Sequence, residues 1–179
     1  MATDSDAALV ARIVATGDRS AFELLVRRHQ SPLRNFLRRL TKNDAARADD
    51  LAQETFFKAY RSIASFAGTA KFSSWLYRIA YNTFLNDQRT RFPHAELDES
   101  QHVSVFNDIE GASTQSDLER LLSLLPLRQR AVFDLHYKKG MTHQEIAQAL
   151  EVPLGTVKSD LARGHDALRK HVTAQKRLA

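Results

Sequence analysis

Residues 141–165 read MTHQEIAQALEVPLGTVKSDLARGH. Thr142 followed three residues later by Glu145 makes a capping box, which satisfies the first unpaired amides of a helix that then runs through Leu150. Glu151, Val152 and Pro153 make a turn, and Pro153 is placed to begin the next helix, where its fixed φ and missing N–H do no harm. On that helix Val157, Leu161, Gly164 and Leu168 recur at helical spacing, so this face packs on Ile146 and Leu150. A short capped helix, a tight turn and a longer helix are the dimensions of a helix-turn-helix. The opposite face presents Gly155, Thr156, Ser159, Ala162 and Arg163, with Lys158 at its flank. Small residues let a helix enter a major groove, and Ser, Thr and Arg bond to base edges or phosphates. The same geometry also occurs as plain packing, so the motif alone leaves both readings open.

Outward from this motif the helical pattern continues. Only six Gly and four Pro interrupt 179 residues, 43% of which are hydrophobic, and strand-type alternation is scarce. The chain is expected to be all-α. A first helix over residues 6–15 stops at Gly17, and Ser20 with Glu23 forms a capping box for a helix running towards Leu40, which Pro32 should kink or divide. Asp44 caps a helix ending near Ile63; a short loop leads into a long helix over 72–91. Residues 93–116 are polar, acidic and without a period, as in a flexible linker. Helices resume over 117–125 and 127–138. Two small helical domains, 1–92 and 117–179, are therefore expected on either side of the linker 93–116.

Charge follows the same division. Residues 1–91 hold 15 Lys/Arg against nine Asp/Glu, residues 92–119 hold seven acids and no Lys or Arg, and residues 120–179 hold 11 bases against five acids. Two basic blocks around an acidic segment favour nucleic acid at both ends, although two solvated domains with a polar linker would look alike. With no cysteine there are no disulfides or thiolate metal sites. No apolar stretch approaches the roughly 20 residues that span a bilayer, so no membrane insertion and a cytoplasmic location are expected. The seven histidines are scattered. No metal, cofactor or catalytic residue is expected.

Against this basic background the stretch Asp49-Asp50-Leu51-Ala52-Gln53-Glu54-Thr55-Phe56-Phe57 stands out. On a helix Ala52, Phe56, Ala59, Tyr60 and Ile63 share a core face. Asp50, Gln53, Glu54 and Phe57 fall at i, i+3, i+4 and i+7 on a neighbouring face. An acidic stripe ending in an aromatic would repel a phosphate backbone. It suits a protein partner, with carboxylates meeting basic groups and Phe57 as an apolar anchor; the plainer possibility is a solvated acidic face with Phe57 tucked against a neighbour. The helix over 72–91 carries a core stripe of Phe72, Trp75, Leu76, Ile79 and Ala80. Its other face holds Arg78, Asn82 and Arg89, with Tyr77 and Tyr81 beside it. Cations, an amide and aromatics on one helix suit unstacked bases and backbone, unless the aromatics are core and the arginines merely solvated.

DDLAQETFFKAYRSIASF (49–66), FSSWLYRIAYNTFLNDQRTR (72–91) and LPLRQRAVFDLHYKKGMTHQEIAQALEVPLGTVKSDLARG (125–164), in that order, resemble a sigma factor of the sigma-70 family, and more narrowly its extracytoplasmic-function (ECF) group. The resemblance implies two domains, sigma regions 2 and 4, docking on core RNA polymerase and directing promoter recognition, promoter opening and transcription initiation. Asp50, Gln53, Glu54 and Phe57 would bind the clamp helices of the largest polymerase subunit. Phe66, Lys71, Trp75, Tyr77, Arg78, Asn82 and Arg89 would serve the minus-ten element of promoter DNA, where a flipped base is held in a pocket. Thr156, Lys158, Ser159, Ala162 and Arg163 would serve the minus-thirty-five element, and an anti-sigma factor would be a further partner. This sequence departs from the family pattern in placing Asp160 and His165 where arginines are common, which would weaken phosphate contact. Glu151 occupies a turn position often held by Gly, where a left-handed backbone costs of order 1 kcal/mol. The rival is a free-standing helix-turn-helix repressor or activator that uses the acidic stripe for self-association.

Overall fold

The computed structural model describes residues 4–92 and 122–178. The expected linker 93–116 and most of the expected helix 117–125 lie outside the described residues. Among the described residues every regular element is helical: α1 (Asp6–Thr16), α2 (Arg19–Leu40), α3 (Ala45–Ser62) with a 3₁₀ turn (Ile63–Ser65), α4 (Phe72–Arg91), α5 (Leu127–Phe133), α6 (His143–Leu150) and α7 (Leu154–Leu178).

Local chemistry sets these boundaries. Ser5 caps α1 by accepting from the Ala8 amide, and Gly17 ends it at φ 67°, a conformation that glycine adopts without a Cβ clash. The cap of α2 is Asp18, not Ser20: its carboxylate accepts from the amides of Ser20 and Ala21 and so moves the helix start back by two residues. Pro32 does not divide α2, which runs through it as one element. Asp44 caps α3 as expected, by accepting from the Arg47 amide. In the C-terminal half, α5 widens into a single π-helical turn (Asp134–Lys138), and α7 runs several residues beyond its expected end near Val172.

Packing of the apolar faces produces two linked cores. Leu25, Leu33, Phe36 and Leu37 of α2 pack with Leu76, Tyr81 and Phe84 of α4 and with the buried face of α3, all almost wholly removed from water. Burying each such side chain contributes about 1.5–3 kcal/mol. Arg47 of α3 and Asp87 of α4 add a part-buried hydrogen bond of 2.7 Å across the rim. In the second core Val132 and Leu135 meet Ile146, Leu150 and Val157. The expected packing of α7 on α6 holds, and Gly164 explains how closely α7 approaches α5: a Cβ there would lie 2.3 Å from Cε2 of Phe133.

The two cores are not separate bodies on a tether. Helix α6 lies along α4, and α5 meets α2. A buried ion pair joins Arg39 of α2 to Asp134, which is 2% exposed. Arg130 of α5 is also buried, and its guanidinium donates to the carbonyls of Leu122, Ser123 and Leu125 and, across the junction, of Arg39. Burial lowers its pKa from the ordinary arginine value.

Candidate functional site

The acidic stripe lies on the outer face of α3. Asp50, Gln53, Glu54 and Phe57 are all exposed, and Phe57 is 61% exposed. The same helix buries Ala48, Leu51, Ala52, Thr55 and Ala59, so its inward face holds the stripe rigidly. Glu54 pairs with Lys58 at 2.7 Å, and the Arg61 guanidinium sits 5.6 Å from the centre of the Phe57 ring. Two members of the expected core face depart from it. Phe56 is only partly buried, and Tyr60 is 38% exposed with its ring edge against Phe22.

On α4 the structure divides the expected nucleic-acid residues into two groups. Lys71, Asn82 and Arg89 are exposed and Arg78 half-buried, in line with a polar outer face. Tyr77 and Trp75 are not presented with them. Tyr77 is 5% exposed and packs edge-on against Phe36 at 5.1 Å, because its position points into the α2–α4 seam. Burial, with Asp134 nearby, raises its phenol pKa. Tyr81 is 1% exposed and is likewise core. Trp75 is 8% exposed and closes an aromatic cluster with Phe66 and Phe72, at ring distances of 5.3 and 5.7 Å. That cluster anchors the loop over 66–71, so Trp75 and Phe66 shape the entry to the α4 face from beneath it.

On α7, Lys158, Ser159, Ala162 and Arg163 are exposed along one face, with Thr156 half-buried at its start. Ser159 Oγ donates to the Thr156 carbonyl at 3.0 Å. Asp160 corrects an expectation. It is not part of the exposed row: it is 1% exposed and accepts hydrogen bonds from Arg128 Nε at 2.6 Å and Arg163 Nη2 at 2.9 Å. The helical turn points this carboxylate inward, where it ties α5 to α7 and holds Arg163 by its inner edge. His165 is exposed and bonds through Nε2 to the Tyr137 hydroxyl at 2.6 Å.

Sequence reasoning missed the contacts that join the α4 face to α6. Lys71 Nζ pairs with Glu145 at 2.7 Å. Asn82 Nδ2 donates to Glu151 Oε2 at 2.9 Å, and Arg78 lies 3.9 Å from the other oxygen of that carboxylate. The hydrogen bond from Lys71 and the capping bond to Thr142 together hold the Glu145 carboxyl below its ordinary value. A shallow polar groove of about 410 Å³ runs between the units, lined by Lys58, Arg78, Asn82, Asn86 and Glu151 among others. The one signal available in the sequence was Glu151 itself. It stands at φ 55°, ψ 42°, the left-handed conformation expected for that turn.

Comparison with known proteins decides what this arrangement is. The sigma-70 region 2 family matches residues 25–91, and the sigma-70 region 4 family matches residues 115–168. The ECF RNA polymerase sigma-E factor of Haemophilus influenzae is 35% identical, over 94% of this chain and 95% of that protein. The chain belongs to the sigma-70 family. The RNA polymerase sigma-H factor of Pseudomonas aeruginosa is 34% identical, over 93% of each chain. A solved structure of the sigma factor RpoE with the anti-sigma factor NepR, from Bartonella quintana, has the same fold, with a TM-score of 0.68, 23% identity, and coverage of 85% of this chain and 96% of that one. This sigma factor is of the ECF type, built from regions 2 and 4, and it directs RNA polymerase to promoters at transcription initiation. The free-standing repressor reading is not favoured. Among the described residues no helix is long and apolar enough to cross a membrane.

Proposed function

We propose that the sigma factor divides its work among three surfaces. The stripe of Asp50, Gln53, Glu54 and Phe57 docks on the basic clamp helices of the largest polymerase subunit. The α4 face, through Lys71, Arg78, Asn82 and Arg89 above the Phe66–Trp75 cluster, takes the minus-ten element with its unstacked base. The α7 face, through Thr156, Lys158, Ser159, Ala162 and Arg163, takes the minus-thirty-five element. Residues 1–92 form the first functional unit, 93–116 the acidic connection through polymerase, and 117–179 the second. The protein acts stoichiometrically in the cytoplasm, not as an enzyme, and an anti-sigma factor restrains it, as NepR binds its own sigma partner.

The observation that carries the polymerase assignment is the exposure of all four stripe residues on a helix whose other face is buried in the core. Charge and a 61% exposed aromatic on a rigid helix suit a protein partner of opposite charge. The test is a gel shift on a promoter library with this protein, core polymerase and both together. A sequence-specific shift only with both, lost on Glu54→Arg, supports the reading; a specific shift by the protein alone, unaffected by core, overturns it.

A further inference from the structure

The loop over 66–71 rests on three rings, and one of those rings is held in turn from the N-terminal helix. Phe66 opens the loop, Phe72 and Trp75 follow it on the first turn of α4, and the three pack at ring distances of 5.3–6.1 Å. Phe72, 3% exposed, also meets the His29 ring of α2 at 5.3 Å. The same imidazole is bonded to α1: Asp6 Oδ2 accepts from His29 Nε2 at 2.8 Å, and the His29 side chain is only 14% exposed. Asp6 is itself fixed. It stands in the first turn of α1, where unpaired amides favour a carboxylate, and its other oxygen pairs with Arg28, whose Nη2 donates to the Asp4 carbonyl at 2.8 Å.

Helix α1 also lies against the other end of the loop. It meets the 3₁₀ turn Ile63–Ser65, where buried Ile63 accepts from the Phe66 amide at 3.1 Å. Between these ends the loop has little support of its own: residues 67–69 are exposed, and Gly68 turns at φ 69°. Its order is therefore set by its two ends, and α1 bears on both. We propose that α1 is a positioning element for promoter opening: Asp6, acting through His29, sets the Phe72 ring and with it the Phe66–Trp75 platform beside which the unstacked minus-ten base is received. This rests on the minus-ten reading given above and adds residues that none of the three surfaces contains. A site held in its bound shape beforehand loses less freedom on binding, so residues that touch no ligand can set its affinity and selectivity. The plainer role for Asp6–His29 is a stitch between α1 and α2, and the experiment separates the two.

Holoenzyme is assembled from the full chain and core polymerase on a promoter recovered from the library above. That promoter is built as a fork, with its non-template strand single-stranded across the minus-ten element, and each position carries in turn its base or an abasic site. Wild type is expected to bind the intact fork at least tenfold more tightly than one of the abasic forks. In Asp6→Ala and His29→Ala that ratio is expected to fall below threefold. In Asp6→Asn, whose amide oxygen still accepts from His29, it is expected to recover to at least half the wild-type value. Arg12→Ala is the control: it removes the α1 contacts to Asp4 and to the Asp18 cap without touching His29, and should leave the ratio unchanged. Trp75 is the only tryptophan in the chain and supplies a spectroscopic signature. Its quenching by acrylamide in the free chain should at least double in Asp6→Ala and His29→Ala and stay at wild type in Arg12→Ala. Retention of the wild-type ratio, or of wild-type quenching, in Asp6→Ala and His29→Ala overturns the proposal and leaves the pair as a stitch. An equal loss in Arg12→Ala overturns it as well, because α1 then acts through stability alone. If wild type shows no base dependence at any position, the minus-ten reading itself fails, and the proposal with it.

Discussion

Asp160 Oδ1, on a carboxylate that is 1% exposed, accepts a hydrogen bond at 2.9 Å from Nη2 of the Arg163 guanidinium, which is 59% exposed. An acid that a linear reading sets against DNA is therefore a support for one of the cations proposed to meet it. Asp160→Ala should cost about 2 kcal/mol of stability, the scale of a charge-assisted hydrogen bond lost at a buried site. It should also weaken minus-thirty-five duplex binding, because Arg163 loses its orientation. Thermal melting and duplex binding at two salt concentrations check this, with Asp160→Asn expected to fall between the two.

Gly164 faces the Phe133 ring at a distance that leaves no room for a methyl group. Gly164→Ala should destabilise the C-terminal unit by roughly 1–3 kcal/mol through overpacking, despite the better helix propensity of alanine. Denaturant unfolding of Gly164→Ala alone and with Phe133→Leu measures it. A double variant more stable than the single one is the expected sign of relieved crowding.

Phe57 is exposed enough that its loss should leave the fold within about 0.5 kcal/mol. As an anchor for polymerase, Phe57→Ser should lower affinity for core enzyme at least tenfold, or about 1.4 kcal/mol. Competition with the wild-type chain for core polymerase separates the two effects.

At the α1–α2 corner, Asp18 accepts hydrogen bonds from Ser20 and Arg12, and its pKa falls from 3.8 to about 2, Ser20 being the larger cause. A lowered carboxyl pKa stabilises the fold above the unfolded value and loses that contribution as pH falls through the folded one. The cap should therefore weaken only between pH 3.8 and about 2. Asp18→Asn keeps a capping side chain and should flatten the stability–pH slope across that window.

Arg130 serves four carbonyls from inside the junction of the two units. Arg130→Met should cost about 3 kcal/mol, because a buried cation network is broken by removing one side of it. Hydrogen exchange should localise the loss to the α2–α5 contact.

How much of this was legible in the residues follows from the range of the forces involved. The capping box at Thr142, the cap at Asp44, the left-handed stop at Gly17 and the span of α4 rest on groups within a few positions of one another, and they stand where the sequence put them. The outward stripe of α3 and the exposed row of α7 follow from helical spacing alone. Periodicity does not say which of two neighbouring faces meets another helix, so Tyr77 and Tyr81 read as open to bases although both are buried; for Trp75 the spacing correctly gave a core position, and only the family resemblance set it at the minus-ten element. The cap of α2 was misplaced for a local reason: two good capping residues stand two positions apart, and the carboxylate of Asp18 wins.

The sequence by itself determined the helices, the helix-turn-helix, the two surfaces proposed for polymerase and the minus-thirty-five element, and the family. Only the tertiary structure decided that Asp160 supports Arg163, that Arg130 and Asp134 lie at the core of a junction, and that Glu145 and Glu151 cover the α4 face. The physical reason is separation along the chain. Asn82 and Glu151 lie 69 residues apart, and no pattern in either neighbourhood encodes their meeting. It arises when the apolar faces of α4 and α6 are buried together and their rims are left to pair.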